Sequence, residues 1–195
     1  MLKNQLLAVM PHAERGIRNN PYTKKCEIST FMQLFKELAP VFNCNTPARE
    51  AMFLAQIAVE SAELRYTEEI ASGAAYEGRK DLGNIFKGDG VKFKGRGYIQ
   101  VTGRYNYKCL NAYCMQKGID LDLVNKPTNL HGMKEGLMSA LWYCDTHKVW
   151  SYADKHDILG ASIAINGKNK KTGLPNGYTD RKAYYQKAKT AYALS

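Results

Sequence analysis

The chain contains no apolar run approaching the roughly 18 residues that a membrane-spanning helix needs. It contains no Cys-x-x-Cys pair, and its five cysteines (Cys26, Cys44, Cys109, Cys114 and Cys144) are odd in number. Both features argue against a disulfide framework and against a cysteine-held zinc site. They favour buried free thiols in a protein folded in a reducing compartment. The four histidines, His12, His131, His147 and His156, are scattered, and none stands at metal-ligand spacing. A Gly-x-Ser-x-Gly elbow and a cysteine–histidine nucleophile pattern are also missing. Gly95-Arg-Gly97 lacks the Lys-Ser/Thr of a phosphate loop and the spacing of a dinucleotide fingerprint. Acidic residues are scarce, 18 against 28 Lys and Arg, for a net charge of +10. This excess attracts anionic partners at long range. The cations are spread along the chain, however, and their densest cluster, Lys168 to Lys171, is short. The basic helix of a nucleic-acid reader is absent, so no nucleic-acid partner is expected.

What remains is a 195-residue chain, 45% apolar, sized for one domain or one domain in two lobes. Met1 to His12 carries a short apolar run with almost no basic lead and no Ala-x-Ala site. It reads as an amphipathic helix of the fold rather than a signal peptide. Ile28, Phe31, Met32, Phe35, Leu38 and Ala39 stand at helical spacing over 28–42. Thr46-Pro47 is an N-cap followed by proline at the first helical position, opening a helix to about Leu64. Residues 104–117, 133–147 and 179–193 also read as helices. Asn19 to Pro21, Gly88 to Gly90 and Gly173 to Gly177 read as turns. Residues 70–100 are glycine-rich with little helical period, as in an ordered functional loop with a short hairpin.

The chemistry concentrates between Ala55 and Tyr107. Glu60 lies near the end of the helix that opens at Pro47. Phe53, Ile57 and Leu64 fall at i−7, i−3 and i+4 on its face. Apolar neighbours disfavour a charged carboxylate, which suits a general acid. Glu63 is too close to Glu60 on the same helix to leave room for a water between them. Glu68 and Glu69 lie beyond the helix end, where one can cross a cleft, and spacing does not choose between them. Asp89 is a further candidate that turn chemistry explains adequately. In Tyr98-Ile-Gln-Val-Thr102, an extended strand would turn Tyr98, Gln100 and Thr102 to one polar face. Nearby glycines leave room for close approach of backbone to a ligand. Asn166, closing the run Ile163 to Gly167, and Arg181 can both reach such a cleft, and Arg181 can pair with a carboxylate.

Three segments match together and in order: Tyr76-Glu-Gly-Arg-Lys-Asp-Leu-Gly-Asn84, the Gly-Arg-Gly-x-Ile-Gln-x-Thr-Gly-Arg-x-Asn-Tyr run from Gly95 to Tyr107, and Ile165-Asn-Gly167. In these the chain resembles glycoside hydrolase family 19, the chitinases and phage-type lysozymes, strongly over Pro47 to Tyr107 and moderately over Ser162 to Ala188. The resemblance implies a mostly α-helical, lysozyme-like, two-lobed fold with a central substrate cleft. It implies one catalytic domain over 1–195, with no separate wall-binding domain. It gives Glu60 as general acid and Glu69 as general base, with Thr102 holding the attacking water. Gln100, Asn106, Asn166 and Arg181 match sugar-binding or carboxylate-supporting positions, and Tyr98 matches a cleft-lining position loosely. Neither metal nor organic cofactor is implied.

The chain departs from the family around the acid. Val59 stands where the family often has histidine, and Ala62-Glu63 where it often has Gly-Gly. Ile70-Ala-Ser-Gly73 replaces an asparagine-rich stretch after the base. The expected activity is hydrolysis of β-1,4 bonds in the peptidoglycan strand by an inverting monomer, with an anionic cell-envelope surface as a further partner. Such an endolysin is made in the host cytoplasm and reaches the wall after the membrane is permeabilised. Chitin hydrolysis and non-catalytic glycan binding in the same cleft stay open as alternatives.

Overall fold

A computed structural model describes residues 1–15 and 26–195. The turn expected at Asn19 to Pro21 lies outside the described residues. Among those described the fold is mostly helical: α1 (Lys3–Val9), α2 (Ile28–Leu38), α3 (Pro47–Glu60), α4 (Asp89–Lys92), α5 (Arg104–Gln116), α6 (Met133–Thr146), α7 (Val149–Ala153), α8 (Ile158–Asn166) and α9 (Tyr178–Ala191). The helices expected at the N-terminus, after Ile28 and over 104–117, 133–147 and 179–193 are all present to within a turn. The short α7 and α8 were not expected, since neither five residues nor nine give periodicity a full window.

Helix α3 is central. Thr46 caps it by accepting the Arg49 N–H at 3.3 Å, and Pro47 opens it. Residues 51–58 are all buried, so this helix is enclosed on every side rather than amphipathic. Helix α9 lies along it, and α1, α6, α7 and α8 touch it as well. Aromatic rings continue the core outward: Phe53 packs on Phe35 at 5.6 Å and on Trp150 at 6.3 Å between centroids.

The expected end of α3 at Leu64 is incorrect. The helix stops at Glu60, and Ala62, Glu63 and Leu64 follow with φ of 48°, 61° and 65°. The Ser61 hydroxyl donates to the Ile57 carbonyl at 2.5 Å and accepts the Leu64 N–H at 2.8 Å. The Glu63 N–H returns to the Ala58 carbonyl at 2.8 Å. Left-handed backbone costs a residue with a Cβ about 1–2 kcal/mol, so three in succession need support from outside the turn. The apolar spacing that ran to Leu64 carries no signal for this. The first two of them, Ala62 and Glu63, stand where the family that the chain resembles often has Gly-Gly, the residues that adopt this backbone at least cost.

The glycine-rich stretch 70–100 is ordered by its own side chains. The Glu77 carboxylate accepts the Gly88 and Gly90 N–H groups at 2.6 and 2.8 Å. A Cβ at Gly73 would stand 2.5 Å from the Gly90 carbonyl oxygen, so only glycine allows that approach. Asp89, almost wholly buried, accepts from Arg104 Nε at 2.8 Å and from its Nη2 at 2.5 Å. The Arg104 guanidinium lies 4.5 Å from the Phe93 ring centre and 4.9 Å from that of Phe86. Asn84 ties the loop to α5, donating to the Tyr76 carbonyl and accepting the Arg104 N–H, both at 2.9 Å. The expected hairpin shrinks to two isolated bridges, Glu68 to Arg96 and Arg96 to Val101. All five cysteines are free thiols, four of them buried. Among the described residues, no helix is long and apolar enough to cross a membrane, and no group of three or more His, Cys, Asp or Glu could hold a metal ion.

Candidate active site

The last residue of α3 is Glu60, and its side chain remains 16% exposed. It opens into a cavity of about 200 Å³ shared with Gln100, Thr102 and Asn106. Leu82, Ile99, Val101, Trp142, Tyr143 and Ile165 supply its apolar walls. Behind Glu60 lies Arg181 of α9, 1% exposed. Its guanidinium donates through Nη2 to Glu60 Oε1, through Nη1 to Gln56 Oε1 at 2.6 Å and through Nε to the Asn176 carbonyl at 3.0 Å. Gln56, fully buried one turn before Glu60, is held in turn by Ser162 at 3.0 Å. A buried cation with three fixed acceptors orients the carboxyl it touches and engages only one of its oxygens.

Gln100 has φ of 56°, which breaks strand alternation. Ile99, Gln100, Val101 and Thr102 therefore all touch the cavity, whereas a strand would have sent two of them away. The expectation for Tyr98 is corrected for the same reason. It is 2% exposed, packs edge-on against Phe31 at 5.9 Å and does not reach the cavity. Burial pushes its hydroxyl far above the ordinary phenol range.

Glu68 and Glu69 have separate surroundings. Glu68 accepts from Arg96 Nε at 2.9 Å and pairs with Lys94 at 3.3 Å. Burial works against its charge, but the two cations outweigh burial and hold its carboxyl below the usual range. Glu69 accepts the Tyr76 hydroxyl at 2.9 Å and the Gly95 N–H at 3.1 Å. Burial, and then the Glu69 carboxylate, raise the Tyr76 phenol above its ordinary value. A Cβ built on Gly95 would lie 3.0 Å from Gln100 Oε1, 3.2 Å from Glu69 Oε2 and 3.3 Å from Thr102 Oγ1. These three polar ends thus converge on one glycine, and two of them also line the cavity of Glu60. At Gly95 it is the chain's own side chains that crowd the backbone.

Thr102 donates to the Gln100 carbonyl at 3.0 Å, and Asn106 donates to the Thr102 carbonyl at 2.7 Å. Asn166 is exposed and does not line the cavity, although its neighbour Ile165 does. It accepts the Asn176 N–H at 2.9 Å and so braces the loop whose carbonyl receives Arg181. Asp89, expected in a turn, opens α4 instead and is taken up by its buried pair with Arg104 and by the Phe86 N–H at 3.0 Å. Sequence reasoning missed Tyr76, Gln56 and Trp142 as parts of the site. Gln56 had a readable signal, a lone polar side chain on a buried helix one turn from Glu60.

No family model matches the chain. A "Glycosyl hydrolase family 19 domain-containing protein" of Haemophilus influenzae is 29% identical over 119 residues, 60% of this chain. The match spans about half (52%) of that curated relative's length. The fold is similar to chitinase C of Streptomyces griseus, with a TM-score of 0.71 and 16% identity, over 100% of this chain and 77% of the other. A bacterial family 19 chitinase gives 0.69 and 21% over 100% and 95%, and a class IV chitinase of Zea mays gives 0.68 and 19% over 97% and 91%. The resemblance read from the motifs thus has a curated relative behind it, and the helical fold is that of the family 19 chitinases.

Proposed function

We propose that this chain hydrolyses β-1,4 glycosidic bonds of an N-acetylglucosamine-containing glycan, and that the glycan is the peptidoglycan strand. The reading is carried by one observation: Glu60 shares its cavity with Gln100 and Thr102, and these same two side chains meet Glu69 around Gly95. In the proposed mechanism Glu60 protonates the glycosidic oxygen. Arg181 engages Oε1 of Glu60, and Oε2 is the oxygen that delivers the proton. Glu69, steadied by Tyr76 and the Gly95 N–H, takes a proton from a water held by Thr102. That water attacks the anomeric carbon from the opposite face, the C–O bond breaks, and the configuration inverts. Proton transfer of this kind supplies about 10²–10⁴-fold in rate at each end.

The net charge of +10 supports peptidoglycan, because an anionic wall attracts such a surface before the cleft engages. In this reading the enzyme works as a monomer at the wall once the membrane has been breached. Chitin is the second reading, favoured by the chitinases whose fold this chain shares. The test is the turbidity of purified wall with wild type, Glu60→Gln and Glu69→Gln. Clearing by wild type alone is expected, and equal clearing by all three would defeat the assignment of the acids. Mass spectrometry of the fragments separates the substrates: muropeptides with a reducing N-acetylmuramic acid, against chitooligosaccharides from chitin. Glycan binding without cleavage would replace the enzyme with a binding module.

A further inference from the structure

The turn that follows Glu60 is held by a carboxylate with no part in the proposed chemistry. Glu63 sits in the middle of the three left-handed residues, and its side chain is 5% exposed. Its Oε2 accepts the His12 backbone N–H at 2.6 Å. Its Oε1 lies 3.0 Å from His12 Nδ1 and accepts the Tyr184 hydroxyl at 2.8 Å. Burial works against this carboxylate, but the His12 ring and N–H and the Tyr184 hydroxyl outweigh it and hold the acid below its usual range. Tyr184 stands three residues after Arg181 on α9, so the two side chains leave neighbouring turns of one helix face. Helix α9 therefore grips the end of α3 twice, Arg181 on Glu60 and Tyr184 on Glu63. The segment after α1 adds a third hold through His12.

We infer that Glu63 is a positioning residue for Glu60. It clamps a left-handed turn built without glycine and so fixes the register of α9, and with it Arg181, against the Glu60 carboxyl. The inference rests on the proposed reading of Glu60 as the acid. It explains how this chain dispenses with Gly-Gly: side-chain hydrogen bonds from two elements replace the freedom that glycine gives.

The test compares Glu63→Ala, Glu63→Gly, Glu63→Gln and Tyr184→Phe, with wild type and Glu60→Gln as controls, on soluble muropeptide and chitooligosaccharide substrates. Glu63→Ala keeps the unfavourable Cβ and loses the clamp. Its kcat is expected to fall about tenfold with KM within about twofold, the pattern of a displaced reacting group. Glu63→Gly loses the clamp but relaxes the turn, and should retain more activity than Glu63→Ala, reversing the usual order of the two substitutions. Glu63→Gln keeps an acceptor for Tyr184 and should recover part of kcat. Tyr184→Phe removes one hydroxyl and reports the clamp if the Glu63 variants fold poorly.

A second readout needs no turnover. The Arg181 Nε–H resonance should shift and broaden in Glu63→Ala and Tyr184→Phe. An unmoved Arg181 signal, unchanged kcat in folded Glu63→Ala, or less activity in Glu63→Gly than in Glu63→Ala would overturn the inference. If wild type cleaves neither substrate, the functional reading fails, and the Arg181 resonance alone decides the clamp.

Discussion

Gly95→Ala probes the site with a single methyl group. The backbone of Gly95 is not left-handed, so alanine meets no conformational penalty there. The obstacle is local: the new Cβ would stand 3.0 Å from Gln100 Oε1, 3.2 Å from Glu69 Oε2 and 3.3 Å from Thr102 Oγ1. Comfortable carbon contacts begin near 3.5 Å, so each of the three must retreat by a few tenths of an ångström. All three are side-chain ends and can retreat without moving the core. The stability cost should stay near 1 kcal/mol, about 2–4 °C in Tm for a chain of this length.

The catalytic cost should be larger. The displaced atoms are those proposed to hold the base and its water, and Glu69 is tied to the Gly95 N–H at 3.1 Å. A misplacement of 1 Å costs about 10²-fold in rate, so shifts of a few tenths of an ångström in all three groups should cost about tenfold, or ~1.4 kcal/mol of transition-state stabilisation. The assay is release of new reducing ends from wall or chitooligosaccharide, with Tm followed by circular dichroism. A rate within about twofold of wild type would refute the convergence of Glu69, Gln100 and Thr102 on Gly95 as the working geometry. A rate loss that merely matches the loss of folded protein would refute it equally.

Asp89→Asn should destabilise the fold by about 3 kcal/mol, because Arg104 is left charged in a largely buried position; urea denaturation measures this. The Arg104 hydrogen bond, ahead of burial, holds Asp89 below its usual range, and Glu63 is also lowered. Both pairings therefore stabilise fully above the ordinary carboxylate range, and that stability fades as pH falls through the lowered folded values. Tm should drop on acidification, and less steeply in Asp89→Asn than in wild type. Ala62→Gly relieves one left-handed residue and should raise stability by about 1 kcal/mol, read as a Tm gain with kcat unchanged. Arg181→Lys keeps the charge but cannot serve Glu60, Gln56 and the Asn176 carbonyl together. It should lower kcat about tenfold or more at a KM close to wild type, and retention of full kcat would remove Arg181 from the role of orienting Glu60.

Helices were legible from the chain wherever a full window of apolar spacing met a real stop signal. Thr46-Pro47 opened α3 where expected, and α5, α6 and α9 ended within a turn of their predicted limits, because local capping and periodicity are short-range properties. The Gly95 to Tyr107 run was legible as a motif, whereas Glu60 and Glu69 were singled out as a pair only by the family resemblance, since spacing did not separate Glu69 from Glu68. What each motif residue touches was decided in three dimensions. Tyr98 and Gln100 are two positions apart, yet one is packed on Phe31 and the other lines the cavity, because a single left-handed residue overrides strand alternation. Glu68 and Glu69 are adjacent in sequence, and only the folded loop gives the first to Arg96 and Lys94 and the second to Tyr76 and Gly95. The end of α3 shows the division most clearly. Apolar spacing continued to Leu64, but contacts with His12 and Tyr184, distant in sequence, stabilise a left-handed turn that local propensity disfavours, and no local pattern encodes a contact made by remote parts of the chain.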